Sequence, residues 1–236
     1  MLDINQVLSK SEYSFDDLVS IMKILRDREV GCPWDVEQTH KSIRNNFIEE
    51  VYEAVEAIDN NDDELLEEEL GDVLLQVVFH SEIAESEGRF NINDVSDGIC
   101  KKLILRHPHV FRDINVKNSE EVLENWEAIK RREKAQKTLK KALDDVARSL
   151  PSLMRSFKLR KKAEKDKKIR LNYSESANTI NKLLAEIGDK LSDGREVNSD
   201  EIGQVLMAVT DISYICGIDP EQALYDRCEN FIDSID

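Results

Sequence analysis

The stretch Glu69-Leu-Gly-Asp-Val-Leu-Leu-Gln-Val-Val-Phe-His80 combines two acids with an almost continuous apolar sequence. From Leu70 to Ile83, apolar side chains would occupy most angles around a helix axis, which predicts a largely buried helix from Glu64 to about Glu85. Glu69 and Asp72 are three residues apart and therefore share one face of this helix. We expect Asp72 to be shielded from water, where a carboxylate needs a partner.

Capping and breaking residues predict further helices on both sides of this stretch. Thr39 can cap a helix that ends near Asp59, and the cluster Asn60-Asn-Asp-Asp63 separates that helix from the buried one. Other helix starts are predicted at Ser14, Asn93, Ser119 and Pro151. Because aromatic residues make up 6%, only 8 Gly and 4 Pro are present, and no strand pattern is convincing, the predicted fold class is all-α.

The charge balance restricts the partners of the protein. The 236 residues include 49 acids and 33 bases, which gives a net charge of −16. We therefore expect no general attraction to nucleic acid or to an anionic membrane, so that any phosphate ligand must be bound locally. No apolar run is long enough to span a bilayer and the N-terminus lacks a signal-peptide pattern, which predicts a cytoplasmic protein. The four cysteines form no C-x-x-C pair and are interpreted as packed thiols.

An internal repeat predicts two related helical units. Glu69-Leu-Gly-Asp-Val-Leu-Leu75 corresponds to Glu201-Ile-Gly-Gln-Val-Leu-Met207, and the chain becomes basic after Lys130. We expect a catalytic helical domain at 1–137 and a degenerate repeat at 138–236. The second copy should be catalytically silent and serve packing or dimerisation, because it loses acids at several positions. Ala185, Asp189 and Gln204 stand there in place of Glu49, Glu53 and Asp72.

The helix before the buried one carries a second group of acids. Glu49, Glu50 and Glu53 span an arc of roughly 100° around its axis. The apolar residues Val51, Val55 and Ile58 form another sector, which we expect to face the core. Two helices thus present five carboxylates to one region.

Five converging carboxylates repel one another strongly, and a divalent cation resolves that repulsion. Oxygen-only ligands favour hard ions, Mg²⁺ with Mn²⁺ as the alternative, over zinc. Mg²⁺ sites with few protein ligands usually complete their octahedra with water and phosphate oxygens. The acids therefore predict a metal-dependent nucleotide site.

Four motifs, read in order, resemble the MazG-type nucleoside triphosphate pyrophosphohydrolases. They are Cys32-Pro-Trp-Asp-Val-Glu-Gln-Thr-His40, Glu49-Glu-x-x-Glu53, Glu69-Leu-Gly-Asp72 with its apolar continuation, and Arg106-His-Pro-His-Val-Phe111. The resemblance covers Leu18 to about Lys130 closely and the second half more weakly. It implies tandem helical bundles, a homodimer, and hydrolysis of a nucleoside triphosphate to a monophosphate and pyrophosphate.

The resemblance also implies residue roles. Glu50, Glu53, Glu69 and Asp72 would hold Mg²⁺, and Glu49 would orient or deprotonate the attacking water. Lys102 and Arg106 would bind the phosphates and assist catalysis. Trp126 and Lys130 would bind the base, and Trp34 would contact the substrate from a loop over the site. All four histidines are left out of the metal site.

Two other functions fit part of the pattern. A non-catalytic helical module could bind a nucleotide or a protein partner and keep the carboxylates as a relic, and metal-dependent turnover would distinguish it from an enzyme. A di-iron helical bundle is disfavoured because neither acidic helix has Glu-x-x-His at the required spacing.

Overall fold

The computed structural model describes residues 4–112, 114–133, 138–165 and 171–235. Within these residues it has thirteen helices and no strand, which confirms the all-α prediction. The chain divides into two compact units, Met1–Val122 and Leu123–Asp236. The division lies upstream of the predicted domain boundary at 137.

The helices of the first unit follow one another with short connections. They are α1 (Ile4–Leu8), α2 (Phe15–Leu25), α3 (Pro33–Glu37), α4 (Arg44–Asn60), α5 (Asp63–Ser86), α6 (Ile92–Arg106), α7 (Pro108–Phe111) and the start of α8 (Ser119–Glu133). The predicted cap Ser14 forms a reciprocal capping box with Asp17 on α2. Helix α6 is capped by Asn91, which forms such a box with Asp94, rather than by the predicted Asn93.

Helices α4 and α5 form an antiparallel hairpin with a two-residue connection. Asn61 closes α4 in the left-handed conformation, with φ of 54°, which asparagine tolerates better than most residues. The Asp62 side chain then accepts a hydrogen bond from the Leu65 backbone N–H at 3.0 Å and starts α5. The tight turn places the acidic positions of the two helices opposite each other.

Thr39 does not cap α4, contrary to prediction. Its hydroxyl accepts from the Ser42 backbone N–H at 3.2 Å, and the Ser42 hydroxyl accepts from the Thr39 backbone N–H at 2.9 Å. These two bonds close a single separate turn, so that α4 begins only at Arg44.

The core of the first unit lies against the second half of α5. Val78, Phe79 and Ile83 of α5 are almost fully buried. They pack with Met22 of α2, Ile43 before α4 and Ile92 of α6. The core therefore fixes the end of α5 that lies away from Glu69 and Asp72.

The first half of α5 is more exposed than predicted. Leu70 is 53% exposed, Leu74 is 40% exposed and Asp72 is only half-buried. Within this unit α4 packs through the small residues Ala54 and Ala57, which are buried. The predicted core sector of α4 is therefore wrong, because its large apolar side chains are exposed instead: Val51, Val55 and Ile58.

The second unit contains the rest of α8, α9 (Leu139–Asp144), α10 (Ser152–Lys165), α11 (Tyr173–Ser192), α12 (Ser199–Cys216) and α13 (Pro220–Ile232). Helices α11 and α12 form its longest packed pair. No single helix in the described parts of the chain is long and apolar enough to cross a membrane. Helices α12 and α13 together have sufficient length and apolar composition, but they are bent by 105° relative to each other.

The connection between α2 and α3 is closely packed at Gly31. The Cys32 backbone N–H donates to the Leu25 carbonyl at 2.8 Å, which folds the loop back onto the end of α2. A Cβ added at Gly31 would lie 2.4 Å from the Asp27 carbonyl oxygen and 2.5 Å from that of Leu25. Only glycine fits this position without moving backbone atoms.

We expect Gly31→Ala to destabilise the first unit by about 2 kcal/mol, because the new methyl group overlaps two backbone carbonyls. Thermal unfolding should show a midpoint lowered by about 4–8 °C. The control is Gly98→Ala inside α6, where nothing lies within 4 Å of the new Cβ. That change should stabilise the helix by up to about 1 kcal/mol. Equal effects of the two substitutions would contradict this account of the loop.

Candidate metal centre

Three carboxylates meet across the α4–α5 hairpin. Glu50 of α4 and Glu69 and Asp72 of α5 each offer one oxygen, and these oxygens lie within 4.8 Å of one another. All three side chains are half-buried. An ion bound about 2 Å from each oxygen would hold its ligands within about 4 Å of one another. Small side-chain movements would therefore suffice to enclose a divalent cation.

The cluster carries unrelieved negative charge. Burial raises the pKa of Glu50, and the nearby charges of Asp72 and Glu53 raise it further. The pKa of Glu69 is raised for the same reasons, first by burial and then by Glu53 and Asp72. The hard, all-oxygen donor set and the raised pKa values both fit a small divalent cation.

Glu49 and Glu53 lie outside the close triad. Glu53 is exposed, but its charge acts on both Glu50 and Glu69, so it lies at the edge of the cluster. Glu49 is exposed on a sector of α4 about 100° from Glu50. The structure thus brings together three of the five predicted carboxylates, with Glu53 beside them.

Gln76 is a residue of the site that the sequence analysis missed. It is buried one turn after Asp72, and its side-chain amide donates to Glu50 Oε1 at 3.5 Å, a long hydrogen bond. Its own Oε1 atom is buried, and no residue in the described parts of the chain donates a hydrogen bond to it. The sequence contains a pattern that indicates Gln76. A polar stripe runs along this apolar helix at spacings of three and four residues: Glu69, Asp72, Gln76 and His80.

His80 continues this polar stripe and is paired with His40. Their Nδ1 atoms are 2.8 Å apart and their rings stack. Arg89 donates to His40 Nε2, and since a guanidinium has no acceptor, His40 must carry its proton on Nδ1 and donate it to His80. Burial and the neighbouring His40 lower the pKa of His80. The pair ties the loop before α4 to α5, and both histidines stay outside the carboxylate triad.

Trp34 lies on the short helix α3 and is 57% exposed. Its ring meets Phe79 of α5 edge-on, with centroids 6.4 Å apart. Arg26 lies over the same Phe79 ring at 5.4 Å and donates to the Asp35 carbonyl. The Cys32-Pro-Trp loop is thus held on α5, and its assigned contact with substrate stays a prediction.

The predicted phosphate-binding residues lie on α6, which packs against α5. Lys102 is exposed and Arg106 is half-buried, one turn further along. At a spacing of four they share a helix face, as expected. Their role in binding phosphate stays a prediction.

Trp126 and Lys130 lie in the part of α8 that belongs to the second unit. The Lys130 ammonium is 4.5 Å from the centroid of the Trp126 ring, a cation–π contact. The Lys130 side chain therefore covers one face of the Trp126 indole. Their role in binding a base stays a prediction.

The counterpart of Glu69 in the second unit has different partners. Glu201 is in the first turn of α12, where one of its oxygens accepts from the Asn198 backbone N–H and the other from the Lys190 ammonium. These contacts, the backbone bond first, lower the pKa of Glu201. Glu186 lies 3.7 Å from Lys182. In the described parts of the second unit no group of three carboxylates converges.

Comparison with known proteins identifies the family of the segment that contains these acids. The family model described as the MazG nucleotide pyrophosphohydrolase domain matches residues 38–111, which include α4, α5 and all the clustered acids.

Full-length relatives extend the similarity to both units. A nucleoside triphosphate pyrophosphohydrolase of Escherichia coli (strain K12) is 41% identical over 222 residues, which cover 92% of this chain and 83% of that protein. A nucleoside triphosphate pyrophosphohydrolase/pyrophosphatase MazG of Thermotoga maritima is 37% identical over 93% of this chain and 83% of its own length. The Mycobacterium tuberculosis nucleoside triphosphate pyrophosphohydrolase is 41% identical over 63% of this chain. The chain therefore belongs to the MazG family of nucleoside triphosphate pyrophosphohydrolases.

Proposed function

We propose that the protein hydrolyses nucleoside triphosphates to monophosphate and pyrophosphate with Mg²⁺ held by the α4–α5 carboxylates. The observation that carries this proposal is the convergence of Glu50, Glu69 and Asp72 on one point of the hairpin. The raised pKa values of Glu50 and Glu69, caused first by burial and then by the neighbouring acids, support it. The names of the relatives point to the same reaction.

The proposed ligands are Glu50, Glu53, Glu69 and Asp72. Mg²⁺, or Mn²⁺ in its place, would offset the charge of the triphosphate and of the departing pyrophosphate. Gln76 would hold Glu50 in place through the amide that it already donates to that carboxylate. Removal of any one of these groups should weaken the binding of the ion.

The proposed reaction breaks the phosphoanhydride bond between the α and β phosphates. A water in line with that bond supplies the new oxygen, and Glu49 is proposed to take its proton. Glu49 is next to Glu50 in the chain but lies outside the triad, and the family resemblance assigns it this role. Lys102 and Arg106 are proposed to hold the phosphates, and Trp34, Trp126 and Lys130 to complete substrate binding.

A homodimer is the proposed assembly. Large exposed apolar side chains cluster on α4 and α5: Ile48, Val51, Tyr52, Val55, Ile58, Leu70 and Leu74. Another group lies on α6: Ile99, Leu103, Ile104 and Leu105. Apolar surface of this extent in one unit is typical of an interface, and a second copy of the same surface would cover it with two-fold symmetry. The net charge of −16 argues against a general attraction to nucleic acid or to an anionic membrane, and a cytoplasmic location stays a proposal.

Glu50→Gln and Asp72→Asn should each lower Mg²⁺-dependent hydrolysis by more than about 100-fold, because each removes a charged ligand of the proposed ion. Pyrophosphate release from each nucleoside triphosphate measures the effect, and circular dichroism monitors the fold. The control is Glu67→Gln, an exposed acid on α5 outside the cluster. If both variants kept near-full activity with unchanged metal dependence, the proposed centre would be wrong.

Mg²⁺ should stabilise the protein at neutral pH and lose this effect in acid. Because the folded pKa values of Glu50 and Glu69 are raised, the metal-free protein takes up protons more readily than its unfolded chain and gains stability as the pH falls. Mg²⁺ binds the ionised carboxylates, so the stability that the ion adds decreases as the pH falls. Saturation at about 100 times Kd should add about 2.7 kcal/mol.

Thermal unfolding with and without Mg²⁺, at about pH 7.5 and about pH 5, measures this linkage. Asp72→Asn should raise the melting temperature of the metal-free protein and abolish the gain from Mg²⁺, because it removes a repelling charge and a ligand together. A gain from Mg²⁺ of the same size at both pH values, or one retained by Asp72→Asn, would rule out these carboxylates as the binding site.

Lys102→Ala and Arg106→Ala should each weaken triphosphate binding or turnover by about tenfold or more, as expected when a charged hydrogen bond is lost. Lys101→Ala is the matched control, since Lys101 is adjacent on α6 and forms its own ion pair with Asp97 at 2.5 Å. Steady-state kinetics with a saturating metal ion give kcat and KM for each variant. Equal effects at all three positions would mean that only the overall charge of α6 matters.

A further inference from the structure

The second unit contains a cavity of about 410 Å³ between α8 and α10. Its apolar part comes from Val146, Ala147 and Leu150 in the connection between α9 and α10, and from the ring of Trp126. The volume is within the range of about 300–1,000 Å³ that is typical of small-molecule sites.

Basic side chains dominate the lining of this cavity. Six are basic: Lys130, Arg131, Lys158, Lys161, Lys162 and Lys165. Two are acidic, Glu127 and Asp145, which leaves an excess of four positive charges. The whole chain has a net charge of −16, so this concentration of positive charge is local.

The acidic lining residues already have basic partners. Glu127 lies 2.5 Å from Lys165, and Asp145 lies 3.1 Å from Lys141, which is outside the lining. Asp145 therefore balances a charge from outside the cavity as well. The two acids reduce the positive potential of the cavity only in part.

The four lysines of α10 form a stripe along one helix face. Lys158, Lys161, Lys162 and Lys165 follow each other at spacings of three, one and three. Like charges three or four residues apart on a helix destabilise it by about 0.2–0.5 kcal/mol per pair. A bound multivalent anion would reduce this repulsion between the lysines, as a bound cation would reduce the repulsion between the acids of α4 and α5.

The opposite face of α10 is fixed on α12. Arg160 forms an ion pair with Asp211 at 2.6 Å, and Phe157 meets Tyr214 edge-on with centroids 5.5 Å apart. The hydroxyls of Ser156 and Thr210 are 2.6 Å apart. These contacts set the rotation of α10 about its axis, so that the lysine stripe is directed towards the cavity before any ligand binds.

We propose that this cavity binds a small polyphosphate anion, such as the triphosphate group of a nucleotide, through the α10 lysine stripe. The mostly basic lining favours an anion, and the limited volume fits a small molecule rather than a polymer. This anion site goes beyond the proposed hydrolysis, because it requires neither the carboxylate triad nor a metal ion, although it shares Trp126 and Lys130 with the proposed substrate site.

Isothermal titration of the full chain with inorganic tripolyphosphate in metal-free buffer tests the anion site. The protein should bind the probe, and Lys158→Gln combined with Lys161→Gln should weaken binding by about 100-fold, roughly tenfold for each lost charged contact. The matched control combines Lys140→Gln with Lys182→Gln, two exposed lysines of the second unit outside the cavity. This control has the same net charge and should bind like the unchanged protein.

Three results would overturn the anion site: no binding at millimolar tripolyphosphate, equal losses in the stripe and control variants, or binding of a single-stranded oligonucleotide more tightly than tripolyphosphate. Asp72→Asn should bind the probe normally. Arg106→Ala, which removes a proposed phosphate contact on α6, should bind the probe normally as well, so that the two proposals can fail separately. No hydrolysis takes place, because the titration contains no metal.

Discussion

Like-charge repulsion across the α4–α5 hairpin is the constraint on which the organisation of the first unit depends. The two-residue connection at Asn61 and Asp62 forces the acidic faces of both helices together, so that the oxygens of Glu50, Glu69 and Asp72 come within 4.8 Å. The apolar core holds only the far half of α5. The hairpin is therefore anchored at a distance from its charged end, where small movements of the side chains remain feasible.

The α-helical class and most helix ends could be predicted from the sequence, because capping residues and helical periodicity are local properties. Ser14, Asn61 and Asp62 end or start helices through contacts within a few residues. The predicted burial of the first half of α5 and of the Val51 sector was wrong for a related reason. Periodicity shows that a face is apolar, but it does not show whether the same chain covers that face, and here Ala54 and Ala57 make the contact within the unit.

The acids of the candidate site could be predicted from the sequence, but the contacts that support them could not. Convergence of Glu50 with Asp72 follows from spacing once the two helices are known to pair. The hydrogen bond from Gln76, the His40–His80 pair and the basic cavity between α8 and α10 join residues that are far apart in sequence. From the sequence alone, the basic residues of α10 are interpreted as an ordinary solvated helix face. Only the fold shows that α8 lies beside them.

In the second unit, the Lys190 ammonium neutralises Glu201, the residue that corresponds in sequence to Glu69 of the first unit. Its ammonium group is covalently attached to α11, so its effective concentration at Glu201 is fixed by the chain rather than by the surrounding solution. A tethered positive charge cannot diffuse away, be chelated or exchange for another ion. It also has no vacant coordination position for a phosphate. We propose that the α11–α12 pair repeats the α4–α5 hairpin, with a permanent counter-charge in place of an exchangeable ion.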